Sequence, residues 1–194
     1  QKYVKEAFDT NWVVPLGPNV DGFEKALEEF IGENKRIVAL ASGAAAVHLA
    51  LVECGVEAGD EVIVQSFTFC ASSHPITYLG ATPVFVDSEP DTWNMDPDLL
   101  EKAIVDRIAK TGRKPKAIVP VALYGMPYDC DRIMEIANRY RSHHVHEALE
   151  EGEAQVVEHD ALHVDERHAA LDADRGPAGE ELVVCRQDRE FDAA

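Results

Sequence analysis

Residues 39–49 read Ala39-Leu40-Ala41-Ser42-Gly43-Ala44-Ala45-Ala46-Val47-His48-Leu49, and this stretch decides the fold. An apolar strand ends at Leu40, small residues make a tight turn, and a helix begins. The first N–H groups of a helix have no intrahelical acceptor, and small side chains let an anion approach them. Small residues also serve simply to pack a helix closely on a sheet. The stretch alone therefore fixes a strand–turn–helix junction and leaves its purpose open.

Helical and strand-like segments alternate on either side of this junction. Residues 2–9 and 20–31 carry helical periodicity. In the second, Phe23, Ala26, Leu27, Phe30 and Ile31 fall on one face, with Glu24, Glu28 and Glu29 opposite. Asn19 or Asp21 is a suitable cap for it and Gly32 a suitable stop. Residues 36–40 read as a short strand, 44–54 as a helix and 61–65 as a strand after the Gly59-Asp60 turn. A helix fits 71–79 and a strand 83–86. Asp96-Pro97 opens a helix running to about Lys110, with a capping carboxylate followed by a Pro where no N–H is needed. Residues 116–122 read as a strand and 131–140 as a helix with Ile133, Ile136, Ala137 and Tyr140 on one face. Buried strands alternating with helices predict an α/β fold, a largely parallel sheet with flanking helices. Ligands of such sheets bind beyond the carboxyl ends of the strands.

Two more strand ends carry suggestive residues. One leads into Gln65-Ser66-Phe67-Thr68-Phe69-Cys70-Ala71-Ser72, where an aromatic just past a strand end and near an anion site suits a flat cofactor, although position alone favours an ordinary core Phe. The other leads into Ala122-Leu123-Tyr124-Gly125-Met126-Pro127. Three strand ends converging on one edge count for more than any one alone.

Composition narrows the function. The 194 residues hold 18 Lys+Arg against 36 Asp+Glu, a net charge of −18, and 46% are hydrophobic. That apolar share supports a real core. The acidity argues against a nucleic-acid or anionic-membrane surface. No apolar run approaches the ~20 residues of a membrane span, and residues 1–9 do not read as a secretory signal. Cys54, Cys70, Cys130 and Cys185 lack zinc or disulfide spacing, so a cytoplasmic location is expected.

The charge divides at Tyr140. Residues 1–140 carry net −8 and all eight lysines; residues 141–194 carry net −10 and six of the eight histidines. The second segment has no Ile, Asn, Thr, Met, Tyr or Trp, so it is expected to bury little surface and to be poorly ordered. The missing types are largely those with A/T-rich codons, which suits a segment translated out of frame. A solvated acidic or interaction segment is the alternative. His159 and His163, four apart with Glu166 and His168 following, invite a metal reading, but a lone pair at this spacing is common and no metal site is assigned.

Several motifs together resemble the DegT/DnrJ/EryC1/StrS family of nucleotide-sugar aminotransferases. They are Trp12-Val13-Val14-Pro15-Leu16-Gly17-Pro18-Asn19-Val20, Ser42-Gly43 through Leu51, Gly59-Asp60-Glu61-Val62-Ile63, and Phe67-Thr68-Phe69. Gly80-Ala81-Thr82-Pro83-Val84-Phe85-Val86-Asp87, Asn94-Met95-Asp96 and Val119-Pro120-Val121-Ala122-Leu123-Tyr124-Gly125 complete the series. The resemblance covers residues 1–140. It implies the N-terminal part of the large domain of the aspartate-aminotransferase-like (fold type I) enzymes, which use pyridoxal phosphate. It implies amino transfer from glutamate to a nucleotide-linked keto-sugar, for polysaccharide or amino-sugar synthesis, by a homodimer. By the same resemblance Gly43, Ala44 and Ala45 hold the cofactor phosphate through backbone N–H groups, and Phe69 stacks on the pyridine ring. The family commonly has Thr or Ser where this chain has Ala44, a difference of one charge-assisted hydrogen bond, about 1.5–3 kcal/mol.

After Tyr140 the pattern departs. The family continues with an acidic motif that pairs with the pyridine nitrogen and, further on, the Schiff-base lysine. This chain reads Arg141-Ser142-His143-His144-Val145-His146, and no lysine follows Lys116. No catalytic residue is assigned, and the chain is expected to be truncated and catalytically incomplete. A non-catalytic cofactor-binding fragment and an acidic interaction or metal-binding protein remain the other readings.

Overall fold

A computed structural model describes residues 1–12, 14–31, 36–145, 147–148, 154–156 and 182–186. Its helices are α1 (Lys2–Asp9), α2 (Pro18–Ile31), α3 (Gly43–Glu53), α4 (His74–Tyr78), α5 (Pro97–Thr111) and α6 (Cys130–Tyr140). Its strands are β1 (Arg36–Leu40), β2 (Glu61–Gln65), β3 (Thr82–Val86), β4 (Ala117–Val119), β5 (Val121–Ala122), β6 (His143–His144), β7 (Glu147–Ala148), β8 (Ala154–Val156) and β9 (Leu182–Arg186). Short 3₁₀ turns lie at Cys70–Ser72 and Leu123–Gly125.

The central sheet runs β3-β2-β4-β6 and is parallel throughout. Its register sets Val62 beside Pro83 on one side and Ala117 on the other. Strand side chains alternate between faces, and both faces here are covered. Val62 and Val64 join Val47 and Leu51 of α3 and Ile76 of α4 in one core. Ile63 joins Leu100 and Ile104 of α5 and Ile133 and Ile136 of α6 in the other. β4 divides likewise, Ala117 and Val119 against Ile118. A strand covered on both faces needs apolar residues at consecutive positions, which is why Val62, Ile63 and Val64 show no polar alternation. Separately, β1 pairs in parallel with β9, β8 lies antiparallel to β9, and β5 pairs with β7.

Four sequence expectations change, each for a local reason. The helix over 71–79 breaks into the Cys70–Ser72 turn and α4, because Pro75 cannot continue a helix through its own first turn. The strand over 116–122 divides at Pro120, which has no N–H to give a ladder. Helix α2 begins at Pro18, and the Gly17 carbonyl accepts the Val20 and Asp21 N–H groups at 2.9 and 3.1 Å. Asn19 and Asp21 thus lie inside the first turn instead of capping it. Glu24 and Glu28 do not simply face solvent: Glu24 Oε1 accepts the Ala39 N–H at 2.8 Å and Glu28 Oε1 the Ile37 N–H at 3.2 Å. Four residues of helix rise about 6 Å and two of strand about 6.7 Å, so one helix face matches alternate strand amides.

The sheet also continues past Tyr140. β6 adds a fourth strand, and Val145 is buried with its N–H donating to the Ile118 carbonyl at 2.9 Å. Most of the acidic segment 141–194 lies outside the described residues, including His159, His163, Glu166 and His168. Among the described residues no helix is long and apolar enough to cross a membrane.

Candidate functional site

Parallel strands deliver their carboxyl ends to one edge, so β2, β3 and β4 feed three loops to the same rim; β1, whose end leads into the Ser42 turn, belongs instead to a separate sheet with β8 and β9. Two buried carboxamides tie these loops together. Gln65, fully buried at the end of β2, donates from Nε2 to the carbonyls of Phe67 at 2.9 Å and Trp93 at 3.3 Å. Its Oε1 accepts the Met95 N–H at 2.8 Å. Asn94, also buried, donates to the Met126 carbonyl at 2.7 Å and accepts the Leu123 N–H at 2.9 Å. Between Leu123 and Met126, Tyr124 takes a left-handed conformation (φ 51, ψ 34) with its side chain exposed. Neither carboxamide was assigned a role from sequence. The available signal was a Gln closing an apolar strand and an Asn directly before Met95-Asp96.

The α3 junction builds as its sequence demands. Ser42 is extended and caps the helix, its Oγ accepting the Ala45 N–H at 3.2 Å while its carbonyl accepts the Ala46 N–H at 3.1 Å. Ala45 is therefore engaged by the cap. Among the described residues no acceptor engages the Gly43 or Ala44 N–H. These two amides lie at the positive end of an eleven-residue helix with no large side chain in its first turn, an arrangement that favours an anion.

Helix α3 packs against the Cys70–Ser72 turn. Phe69 opens that turn and is 67% exposed, so its ring face is available. The turn is fastened by a 2.8 Å hydrogen bond between the hydroxyls of Thr68 and Ser72. A helix N-terminus and an uncovered aromatic on adjoining elements are of the kind that suit a phosphorylated flat cofactor. The described lysines lie elsewhere: Lys2 and Lys5 on α1, Lys25 on α2, Lys102 and Lys110 on α5, Lys114 and Lys116 before β4. Burial, with Lys116 and Arg141 nearby, lowers the Lys114 pKa, but its Nζ is spent on the Arg141 carbonyl. Among the described residues no group of three or more His, Cys, Asp or Glu is placed to hold a metal ion.

Beside these features lies an open cleft of about 410 Å³ between the loops after β2 and β3. Phe67 and Trp93 meet there edge to face, with centroids 5.8 Å apart. The Glu89 carboxylate folds its own loop, accepting N–H groups of Asp91 and Thr92 at 2.6 and 2.8 Å and the Thr92 hydroxyl. The Thr92 hydroxyl chiefly, then the backbone donors, hold its pKa below the ordinary carboxylate value.

Comparison with known proteins places this architecture. The chain is 49% identical over 140 residues to EpsN of Bacillus subtilis, covering 72% of this chain and 36% of EpsN. It is 44% identical over 148 residues to the GDP-perosamine synthase of Caulobacter vibrioides, covering 76% of this chain and 38% of that enzyme. The crystal structure of a DegT DnrJ EryC1 StrS aminotransferase from Brucella abortus superposes with a TM-score of 0.68 at 37% identity, over 74% of this chain and 38% of that one. The chain thus spans somewhat more than a third of the length of these relatives. The family model matches residues 1–148, eight beyond Tyr140, in keeping with β6 and β7 as continuations of the same fold. The chain belongs to the DegT/DnrJ/EryC1/StrS aminotransferase family, with the α/β architecture of its fold type I relatives.

Proposed function

We propose that residues 1–148 are the cofactor-cradling segment of a sugar aminotransferase, transferring an amino group from glutamate to a nucleotide-linked keto-sugar. The supporting observation is the pair of N–H groups of Gly43 and Ala44, without an acceptor among the described residues, on a helix that packs against the turn opened by the exposed Phe69. The family's cofactor is pyridoxal phosphate. When bound, it supplies an electron sink for amino exchange at a carbonyl carbon. Gly43 and Ala44 bind its phosphate, Ala45 joins them if Ser42 releases its N–H, and Phe69 covers one ring face. Gln65 and Asn94 hold the surrounding loops in register.

We assign no catalytic acid or amine to these 194 residues, because no lysine follows Lys116 and the family's acidic motif does not appear after Tyr140. Amino transfer by this chain alone is therefore absent in this reading. Homodimer assembly accompanies the proposal as a family expectation, a cytoplasmic location as a reading of the cysteine pattern, and a division after Tyr140 as a reading of composition.

Titration with pyridoxal phosphate, followed by borohydride reduction and intact-mass analysis, tests this. The expected result is saturable binding, weakened by Gly43→Pro, with no stoichiometric reduced adduct. A stoichiometric adduct on one lysine overturns the missing amine; no saturable binding overturns the cradle.

A further inference from the structure

Tyr124 is a bulky residue in a place that suits a small one. The Met126 N–H donates to the Leu123 carbonyl at 3.0 Å, closing a turn whose two central residues, Tyr124 and Gly125, have φ of 51 and 73. Turns with positive φ at both central positions favour Gly, Asn and Asp, because a larger side chain crowds the backbone there. Gly125 meets that demand freely and Tyr124 does not. Burial gives nothing back. The Tyr124 ring is 83% exposed, and among the described residues no hydrogen bond or ring contact engages its side chain.

The conformation is imposed from outside the turn. The buried Asn94 side chain accepts the Leu123 N–H and donates to the Met126 carbonyl, so both flanks of Tyr124 are fixed. On either side of Asn94, the Trp93 carbonyl and the Met95 N–H are held by the buried Gln65 side chain, which also holds the Phe67 carbonyl. Two carboxamides thus join the Tyr124 turn to the loop that carries Phe69. A strained residue persists where its surroundings over-determine it, and such residues gather at ligand sites. The turn follows directly on β4 and β5, at the carboxyl ends where α/β sheets bind ligands. Its residues carry no charge, and Met126 is also half exposed, so the surface it offers suits a flat ring and not a phosphate. We propose that Tyr124 contacts the ring of bound pyridoxal phosphate, as a second aromatic in addition to Phe69. The inference rests on the cofactor reading above and adds to it a residue from a third strand end.

The 194-residue chain and its Tyr124→Gly, Tyr124→Asn and Tyr124→Phe variants are titrated with pyridoxal phosphate, with inorganic phosphate as competitor and thermal unfolding measured on each. Tyr124→Gly is expected to melt no lower than the unsubstituted chain and to bind pyridoxal phosphate at least about tenfold more weakly, with phosphate competing at an unchanged constant. A residue that only shaped its turn would not lose affinity while keeping or gaining stability. Tyr124→Phe keeps the ring and binds within about threefold of the unsubstituted chain. Where Tyr124→Gly loosens the turn, Tyr124→Asn decides, because Asn tolerates the left-handed conformation and has no ring. Unchanged affinity in the Gly and Asn variants overturns the proposal and leaves the cofactor reading standing. Equal weakening of phosphate and pyridoxal phosphate also overturns it, as a general loosening of the site. No saturable binding by the unsubstituted chain overturns the cofactor reading and this proposal together.

Discussion

The Asn94 side chain accepts the Leu123 N–H at 2.9 Å across a sequence gap of 29 residues, inside the rim of the sheet. The same carboxamide donates to the Met126 carbonyl at 2.7 Å. One buried residue thus fixes both ends of the loop that presents Tyr124, and links it to the loop carrying Trp93.

Replacing Asn94 with Ala leaves a buried N–H without an acceptor, which costs about 1–3 kcal/mol. Urea unfolding of Asn94→Ala is expected to show that loss. Amide exchange at Leu123 should speed up more than exchange at Ile63 in the core. Equal changes at both sites would mean that Asn94 does not act locally.

Tyr124 is 83% exposed and left-handed, so its side chain contributes little burial and its backbone is strained. Substitution by Gly normally destabilises. Here Tyr124→Gly should be neutral or stabilising by up to about 1 kcal/mol, because Gly adopts this conformation freely. A loss of more than that in thermal unfolding would show that the ring packs against something essential.

Cys54 follows α3 and is buried beside Val56 and Leu51, and burial pushes its thiol up to about 12 despite Lys116 nearby. Cys70 and Cys130 are exposed. Peptide mapping after brief alkylation should label those two and spare Cys54 until the chain unfolds. In the same core Leu51 is fully buried, and Leu51→Ala should cost about 2–5 kcal/mol and expose Cys54 to alkylation at lower denaturant.

Acid should weaken the fold through carboxylates whose pKa is depressed. Asp98 Oδ1 accepts from Arg132 at 2.6 Å, joining α5 to α6, and this contact lowers its pKa from 3.8. Glu89 is lowered from 4.5 chiefly by the Thr92 hydroxyl. Each contributes stability that is present above its unfolded value and lost as pH falls through its folded one. Stability is thus expected to drop below about pH 4.5, and Asp98→Asn should flatten part of that acid limb. An unchanged slope would show that the exposed Asp98–Arg132 pair contributes nothing.

The sequence by itself determined the element order as far as Tyr140, because apolar runs, Asp96-Pro97 and the small-residue turn after Leu40 act within a few residues; strands β6 to β9 it did not show. It also determined the family, through motifs in fixed order across residues 12–125. Even its breaks are written locally: Pro75 and Pro120 divide a helix and a strand by lacking an N–H. What only the tertiary structure decided is which polar groups meet. Gln65 finds Met95 thirty residues on, Asn94 finds Leu123 and Met126, and Glu24 and Glu28 find alternate amides of β1. No periodicity records such partners, because a carboxamide or carboxylate is satisfied by whatever donor the folded chain brings near, and that depends on sheet register. The cleft of Phe67 and Trp93 has the same origin: its two rings are 26 positions apart, and only the parallel pairing of β2 with β3 brings them together.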